Sequence, residues 1–198
     1  MSKLLAMMMN KGMPSRYQEV EYIESTGTQW IDTGLTANQD TTIKCKISNT
    51  KSGTQTMMGL RDGSSTLYGI GQQSTGNLLF AQYLDSGTNS RIISNVAGND
   101  GVVRELEFRK NEFYIDNVLA GSLTFKTFAS ISTIKLFTLN TSTNGSIKMY
   151  NAQVLDGNMK VLKNFIPVYD TLTQKYGMWE SVQGKFCGND GTGDFIGA

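Results

Sequence analysis

The sequence predicts an all-β fold, a sandwich or barrel of antiparallel sheets. Three observations carry the prediction. Apolar and polar residues alternate over short runs: in 41–47, Ile43, Cys45 and Ile47 share one face while Thr42, Lys44 and Lys46 share the other. The 21 glycines, against 2 prolines, are spread along the chain and suit many turns between short strands. No run has the periodicity of a long helix, and several strands keep one polar face, as antiparallel sheets with a solvated side do. At 198 residues the chain forms one domain with room for a sizeable core.

The first 16 residues stand apart. They hold five of the ten methionines, three basic residues and no acid, and Gly12 and Pro14 close them off. Methionine is a flexible gap-filler, so Leu4, Leu5, Met7, Met8 and Met9 are expected to form a docking arm for another subunit. The apolar stretch is shorter than a signal sequence needs and no cleavage site follows it, so the arm is expected to be retained. Strands begin at Tyr17. Two runs in 21–34 flank the small-residue turn Ser25-Thr26-Gly27, and Gly27 and Gly34 are natural turning points.

Further strands are expected at 41–47, at 55–60 and 66–70 around the turn Arg61-Asp62-Gly63-Ser64-Ser65, and at 78–84 and 90–96 around Asp85-Ser86-Gly87. The clearest hairpin spans 103–116, with Lys110-Asn111 as its two-residue turn, because Asn tolerates the left-handed conformation. Residues 117–125, 134–139, 146–155 and 160–169 complete about a dozen strands. The tail, 175–198, reads as Gly-punctuated chain with apolar groups around Met178, Trp179, Phe186, Phe195 and Ile196.

Composition removes several functions. The net charge of +1 leaves no basic footprint for nucleic acid. The absence of histidine removes the commonest general base and metal ligand, and with them the usual Ser-His-Asp and Cys-His reactions. No apolar run approaches the roughly 20 residues of a membrane helix. Cys45 and Cys187 could be two buried thiols or one bridge, with buried thiols the expectation.

Three segments share a further feature. They are Tyr17-Gln18-Glu19-Val20-Glu21-Tyr22-Ile23-Glu24-Ser25-Thr26-Gly27-Thr28-Gln29-Trp30-Ile31-Asp32-Thr33-Gly34, Lys163-Asn164-Phe165-Ile166-Pro167-Val168 and Gly184-Lys185-Phe186-Cys187-Gly188-Asn189-Asp190-Gly191-Thr192-Gly193-Asp194-Phe195-Ile196. In order and spacing, from Tyr17 to the C-terminus, they resemble the concanavalin A-like (laminin-G-like) jelly-roll modules of tailed-bacteriophage virion proteins and gut-bacterial surface proteins. The resemblance implies two curved antiparallel sheets packed face to face, with the first strand pairing near the last. It also implies that the motifs hold the fold, with Trp30 and Phe186 as core or rim aromatics.

The resemblance further implies a non-enzymatic structural protein of a phage particle. The expected role is a decoration protein on the capsid surface, made in the host bacterial cytoplasm and attached to other virion proteins through the arm. A tail adhesin or a free carbohydrate-binding module is the alternative. Sugar binding is the family expectation, and Tyr68, Tyr83, Trp179, Gln72, Gln73 and Asn89 have the ring and amide chemistry for it. Glu19, Glu21 and Glu24 invite a glucanase reading, since retaining hydrolysis needs two carboxyls about 5 Å apart; solvated-face carboxylates are the expectation instead. Calcium at a loop rim would draw on loop residues such as Asp62, Asp85, Asp190 and Asp194, but no spacing matches a known metal loop, so no cofactor and no metal ligands are assigned.

Overall fold

The described residues form seventeen strands, several with alternating buried and exposed positions, and no helix. The computed structural model describes residues 12–63, 66–74, 79–85, 88–124, 127–140 and 145–198, with 79–85 and 88–90 given by backbone alone. The expected arm residues Leu4, Leu5, Met7, Met8 and Met9 lie outside the described residues. In chain order the strands are β1 (Tyr17–Glu19), β2 (Ile23–Glu24), β3 (Ile31–Asn38), β4 (Thr42–Ser48), β5 (Gln55–Asp62), β6 (Thr66–Gln72), β7 (Leu79–Asp85) and β8 (Thr88–Ile93). Then come β9 (Arg104–Arg109), β10 (Glu112–Ile115), β11 (Val118–Ser122), β12 (Ala129–Leu136), β13 (Lys148–Leu155), β14 (Val161–Asp170), β15 (Lys175–Glu180), β16 (Lys185–Cys187) and β17 (Ile196–Gly197).

Two antiparallel sheets result. The larger runs β11-β10-β9-β4-β13-β14-β15-β16, with β1, β2 and β17 joined beside β13 and β14; the smaller runs β3-β12-β5-β6-β7-β8. Their inner faces meet in one core. Ile43, Cys45 and Ile47 of β4, Phe108 of β9 and Met149 and Val154 of β13 are buried with Ile31, Met58, Leu60 and Leu136 of the smaller sheet. Each such side chain contributes about 1.5–3 kcal/mol. Burial pushes the Cys45 thiol up to about 12 and raises the Cys187 thiol as well; both cysteines are free.

Several elements differ from the sequence expectation. The run from Tyr17 to Glu24 is split into two short strands, because its backbone changes partners. Tyr17 pairs with Asp170 on β14, and Val20 N–H donates to Pro167 O at 3.1 Å. Glu21 and Tyr22 N–H then donate to the Ala198 carbonyl at 2.6 and 3.2 Å, before β2 fits between β13 and β17. Gly34 does not turn the chain; it lies inside β3 at φ 72°, where the pairing of β3 with β12 shifts register. The expected strand at 134–139 starts earlier, at Ala129, and the expected run at 90–96 ends at Ile93. The tail is no loose end: three of its segments are strands, two of them extending the large sheet beyond β14. The hairpin turn Lys110-Asn111 has φ of 46° and 68°, as expected, and Asp116-Asn117 makes a second such turn, at 51° and 65°, between the hairpin and the strand expected after it.

The two glycine-rich motifs clasp each other. Gln29, 2% exposed, accepts from Thr26 N–H (2.8 Å) and from the Ser25 and Thr26 hydroxyls (3.2 Å each) through Oε1. Its Nε2 donates to Thr28 Oγ1 (3.0 Å) and to Thr192 O (3.1 Å). Asn189 Oδ1 accepts from Trp30 and Gly191 N–H, Asp190 Oδ2 accepts from Asp32 N–H, and Asp190 and Thr192 N–H return to Trp30 and Thr28 carbonyls. A Cβ on Gly191 would overlap the Thr28 carbonyl and the Trp30 ring. Gln29→Ala is expected to cost about 2–3 kcal/mol in urea unfolding, by stranding several polar groups, and Gly191→Ala to destabilise in the same direction. An unchanged midpoint in both would show that the clasp holds nothing.

Two ion pairs set an acid limit. Arg16 forms a fork on Asp170, at 2.6 and 2.5 Å, and holds that carboxyl well below the usual range. Arg104 does the same to Asp100, lowering it to about 2. A depressed carboxyl stabilises the fold fully above its ordinary value near 4 and loses that contribution as pH falls through the folded value. The unfolding midpoint is therefore expected to hold steady from pH 7 to 5 and fall below pH 4. Asp170→Asn should flatten that fall, and an identical acid slope in wild type and variant would refute the assignment.

Candidate functional site

The outer face of the large sheet carries the site. Adjacent strands β4, β13 and β2 align Ser48, Lys148 and Glu24 in one row, with Ile47, Met149 and Ile23 turned to the core. The β4–β13 register shifts between Met149 and Asn151, which leaves Tyr150 as the extra residue of a bulge. Bulges re-aim side chains. Here the Tyr150 ring lies 5.7 Å from that of Tyr22, inclined at 55°, and its hydroxyl shares a 3.3 Å hydrogen bond with Ser48 Oγ. Both rings are half-buried.

Two ammonium groups cover these rings. Lys148 Nζ lies 4.1 Å from the Tyr22 centroid and Lys46 Nζ lies 5.9 Å from that of Tyr150. Contact with the Tyr22 side chain pushes the Lys148 amine above its ordinary value, so it is a cation at neutral pH. A polar cleft of about 170 Å³ opens beside the rings, lined by Glu24, Asn49, Thr50, Ser146, Lys148 and Tyr150 among others. Aromatic faces beside hydroxyl, amide and charged groups can take the apolar face of a sugar ring and bond its hydroxyls.

The residues expected from sequence to bind sugar do not assemble there. Tyr68 is 2% exposed, packed between Phe108 and Phe128 at 5.3 and 5.4 Å, with its hydroxyl on the Thr41 carbonyl. It is a core ring with no free face. Trp179, 4% exposed, is buried against Tyr17 at 5.0 Å, and its Nε1 has no acceptor among the described residues. Gln72 is fully buried and fixes a loop: its Oε1 accepts from Asn49 Nδ2 (2.8 Å) and its Nε2 donates to the Lys51 (3.0 Å) and Gly53 (2.8 Å) carbonyls. Asn49 lines the polar cleft, so Gln72 shapes the site from behind. Gln73 is half-buried just past β6. Tyr83 and Asn89 are placed by backbone on β7 and β8, and their side chains lie outside the described residues. The ring pair Tyr22–Tyr150 is not among the residues expected from the sequence. The alternation of Lys148, Met149 and Tyr150 put Lys and Tyr on one face, but nothing local shows that β2 lies beside β13.

Several of the other acidic groups are bonded into the fold, and the three N-terminal glutamates are spread over different elements. Glu19 lies on β1, Glu21 in the following bend and Glu24 on β2, so the three do not form the alternating row on one strand that a glucanase reading needs. Glu180, 1% exposed, accepts from the N–H groups of Asn164, Val182 and Gln183 and faces Lys163 at 3.4 Å, capping the turn after β15. Asp62 accepts from Ile131 and Ser132 N–H, and Asp194 pairs with Lys175. Asp85 lies outside the residues with described side chains. No group of three His, Cys, Asp or Glu side chains that could hold a metal ion occurs among the described residues.

No protein-family model and no curated protein sequence matches the chain. Solved structures do. A proposed carbohydrate-binding protein from Bacteroides ovatus superposes with a TM-score of 0.60 at 10% identity, over 91% of this chain and 60% of that one. Domains LG4-5 of the mouse laminin α1 chain give 0.48 at 10% identity (77% and 44%), and a heptameric SAP-like pentraxin of Limulus polyphemus gives 0.43 at 11% identity (77% and 75%). The chain thus spans 60% of the Bacteroides protein's length, and at such identities the likeness speaks to fold alone. By its two antiparallel sheets and this likeness, the chain is a jelly-roll sandwich of the concanavalin A-like type.

Proposed function

We propose that this chain is a non-enzymatic, lectin-like module whose glycan contact is the Tyr22–Tyr150 platform. The observation that carries the reading is the bulge that turns Tyr150 toward Tyr22 on a solvent-facing sheet. An aromatic pair there adds nothing to the core, and it adjoins the polar cleft. The fold shared with a proposed carbohydrate-binding protein supports the reading without carrying it. The test is a glycan array followed by titration. Wild-type protein is expected to bind some members of the array, and Tyr150→Ala to weaken that binding at least about fivefold at unchanged thermal stability, since stacking on a ring contributes on the order of 1–3 kcal/mol. Binding that survives the loss of both Tyr150 and Tyr22 would place the contact elsewhere.

The setting we propose is the surface of a tailed-phage particle, as a capsid accessory protein anchored through residues 1–16. It rests on the resemblance of the 17–34, 163–168 and 184–196 segments to virion jelly rolls. The chain is expected to co-sediment with particles lacking it, and a chain starting at Tyr17 to fail. Equal binding of both would move the attachment to the sandwich itself; binding of neither would leave a free lectin-like module.

A further inference from the structure

The cations of the outer face fall into two groups. Lys44 reaches Glu105 at 2.8 Å and Glu107 at 3.9 Å, and Arg109 reaches Glu107 at 3.4 Å while lying over the Tyr114 ring. Beside the platform, Arg104 is held by Asp100 at 2.6 Å. The ion pairs of the described residues include these three cations but neither Lys46 nor Lys148. Lys46 sits on the same face as Lys44, two residues along one strand, and opposite Glu105 in register, yet Glu105 is taken by Lys44. Glu24 is the one carboxylate in register with Lys148, and it faces the cleft. The platform therefore keeps two cations against one carboxylate not already paired, with each ammonium over a tyrosine ring.

We propose that the platform takes an acidic saccharide. The sugar ring would rest on Tyr22 and Tyr150, and a carboxylate on it would meet the Lys46 and Lys148 ammonium groups. This rests on the sugar-binding reading above and names its ligand class. A cation over an aromatic ring stays partly solvated and can add an anionic partner without leaving the ring. The attraction is between exposed groups, so it is screened over about 8 Å at physiological salt.

The probes are oligogalacturonate, oligoglucuronate and oligomannuronate, each titrated beside its own methyl ester, which keeps the rings and removes the charge. At least one acid is expected to bind about two- to thirtyfold tighter than its ester at low salt, the range two exposed ion pairs supply. The gap should close as salt is raised, and in a Lys46→Gln, Lys148→Gln variant acid and ester should bind alike. Acid and ester binding equally to wild-type protein would overturn the ligand class and leave the sugar-binding reading standing. A gap that survives the double variant would remove the two lysines from it. If neither form of any probe binds, while Tyr150→Ala changes no array signal, the sugar-binding reading fails and this inference with it.

Discussion

The Gln29 side chain is the constraint on which the rest of the architecture depends. It is a buried amide, and each polar atom of a buried amide must find a partner or cost about 1–3 kcal/mol. Gln29 finds its partners on both sides of a gap of 163 residues: Ser25 and Thr26 in the turn before it, and Thr192 in the C-terminal loop. That bond set fixes where the C-terminal segment passes. With the loop in place, Ala198 can satisfy the N–H groups of Glu21 and Tyr22, and β17 can pair with β2. The ends of the domain are closed by this polar satisfaction together with apolar contact, Phe195 packing on Phe137 at 5.0 Å and Tyr17 stacking on Phe186 at 5.2 Å. Such distant pairings carry a loop-closure cost that must be met before the contacts reward it.

The outer face follows from this closure. β2 is two residues long and would not hold beside β13 without a partner on its other edge. β17 supplies that partner, so the C-terminus keeps Tyr22 next to Tyr150. Tyr150 is positioned by the bulge in β13, and its neighbours Ile147 and Met149 anchor that strand in the core. One ring is thus held by the sheet interior and the other by the clasp.

Much of the fold was legible in the sequence because it is written locally. Alternation at Ile43, Cys45 and Ile47, and Asn at the Lys110-Asn111 turn, each act within a few residues, and both appear in the structure as expected. The misreadings arose where non-local pairing overrides local pattern. Glu19 to Glu24 alternates like one strand, but its backbone bonds go to three different segments. Gly34 has the composition of a turn and serves a bulge. The site was less legible than the fold. Tyr68, Trp179 and Gln72 have binding chemistry, and their type gives no sign that Phe108, Tyr17 and the 49–53 loop cover them.

A shallow platform sets its own energetics. Two half-buried rings and a cleft of about 170 Å³ would enclose little of an oligosaccharide, so most of such a ligand would stay in water. The gain from such a contact is a ring stacked on an aromatic face and a few exposed polar bonds, set against the lost freedom of the bound chain. A single site of this kind binds weakly, and charge adds on-rate and selectivity more than affinity. Useful retention then requires many copies facing one glycan-rich surface, where linked weak contacts multiply. Display on a repeating lattice would meet that requirement, which a single free copy would not. A sugar site this open would gain retention from display in many copies, whatever surface carries them.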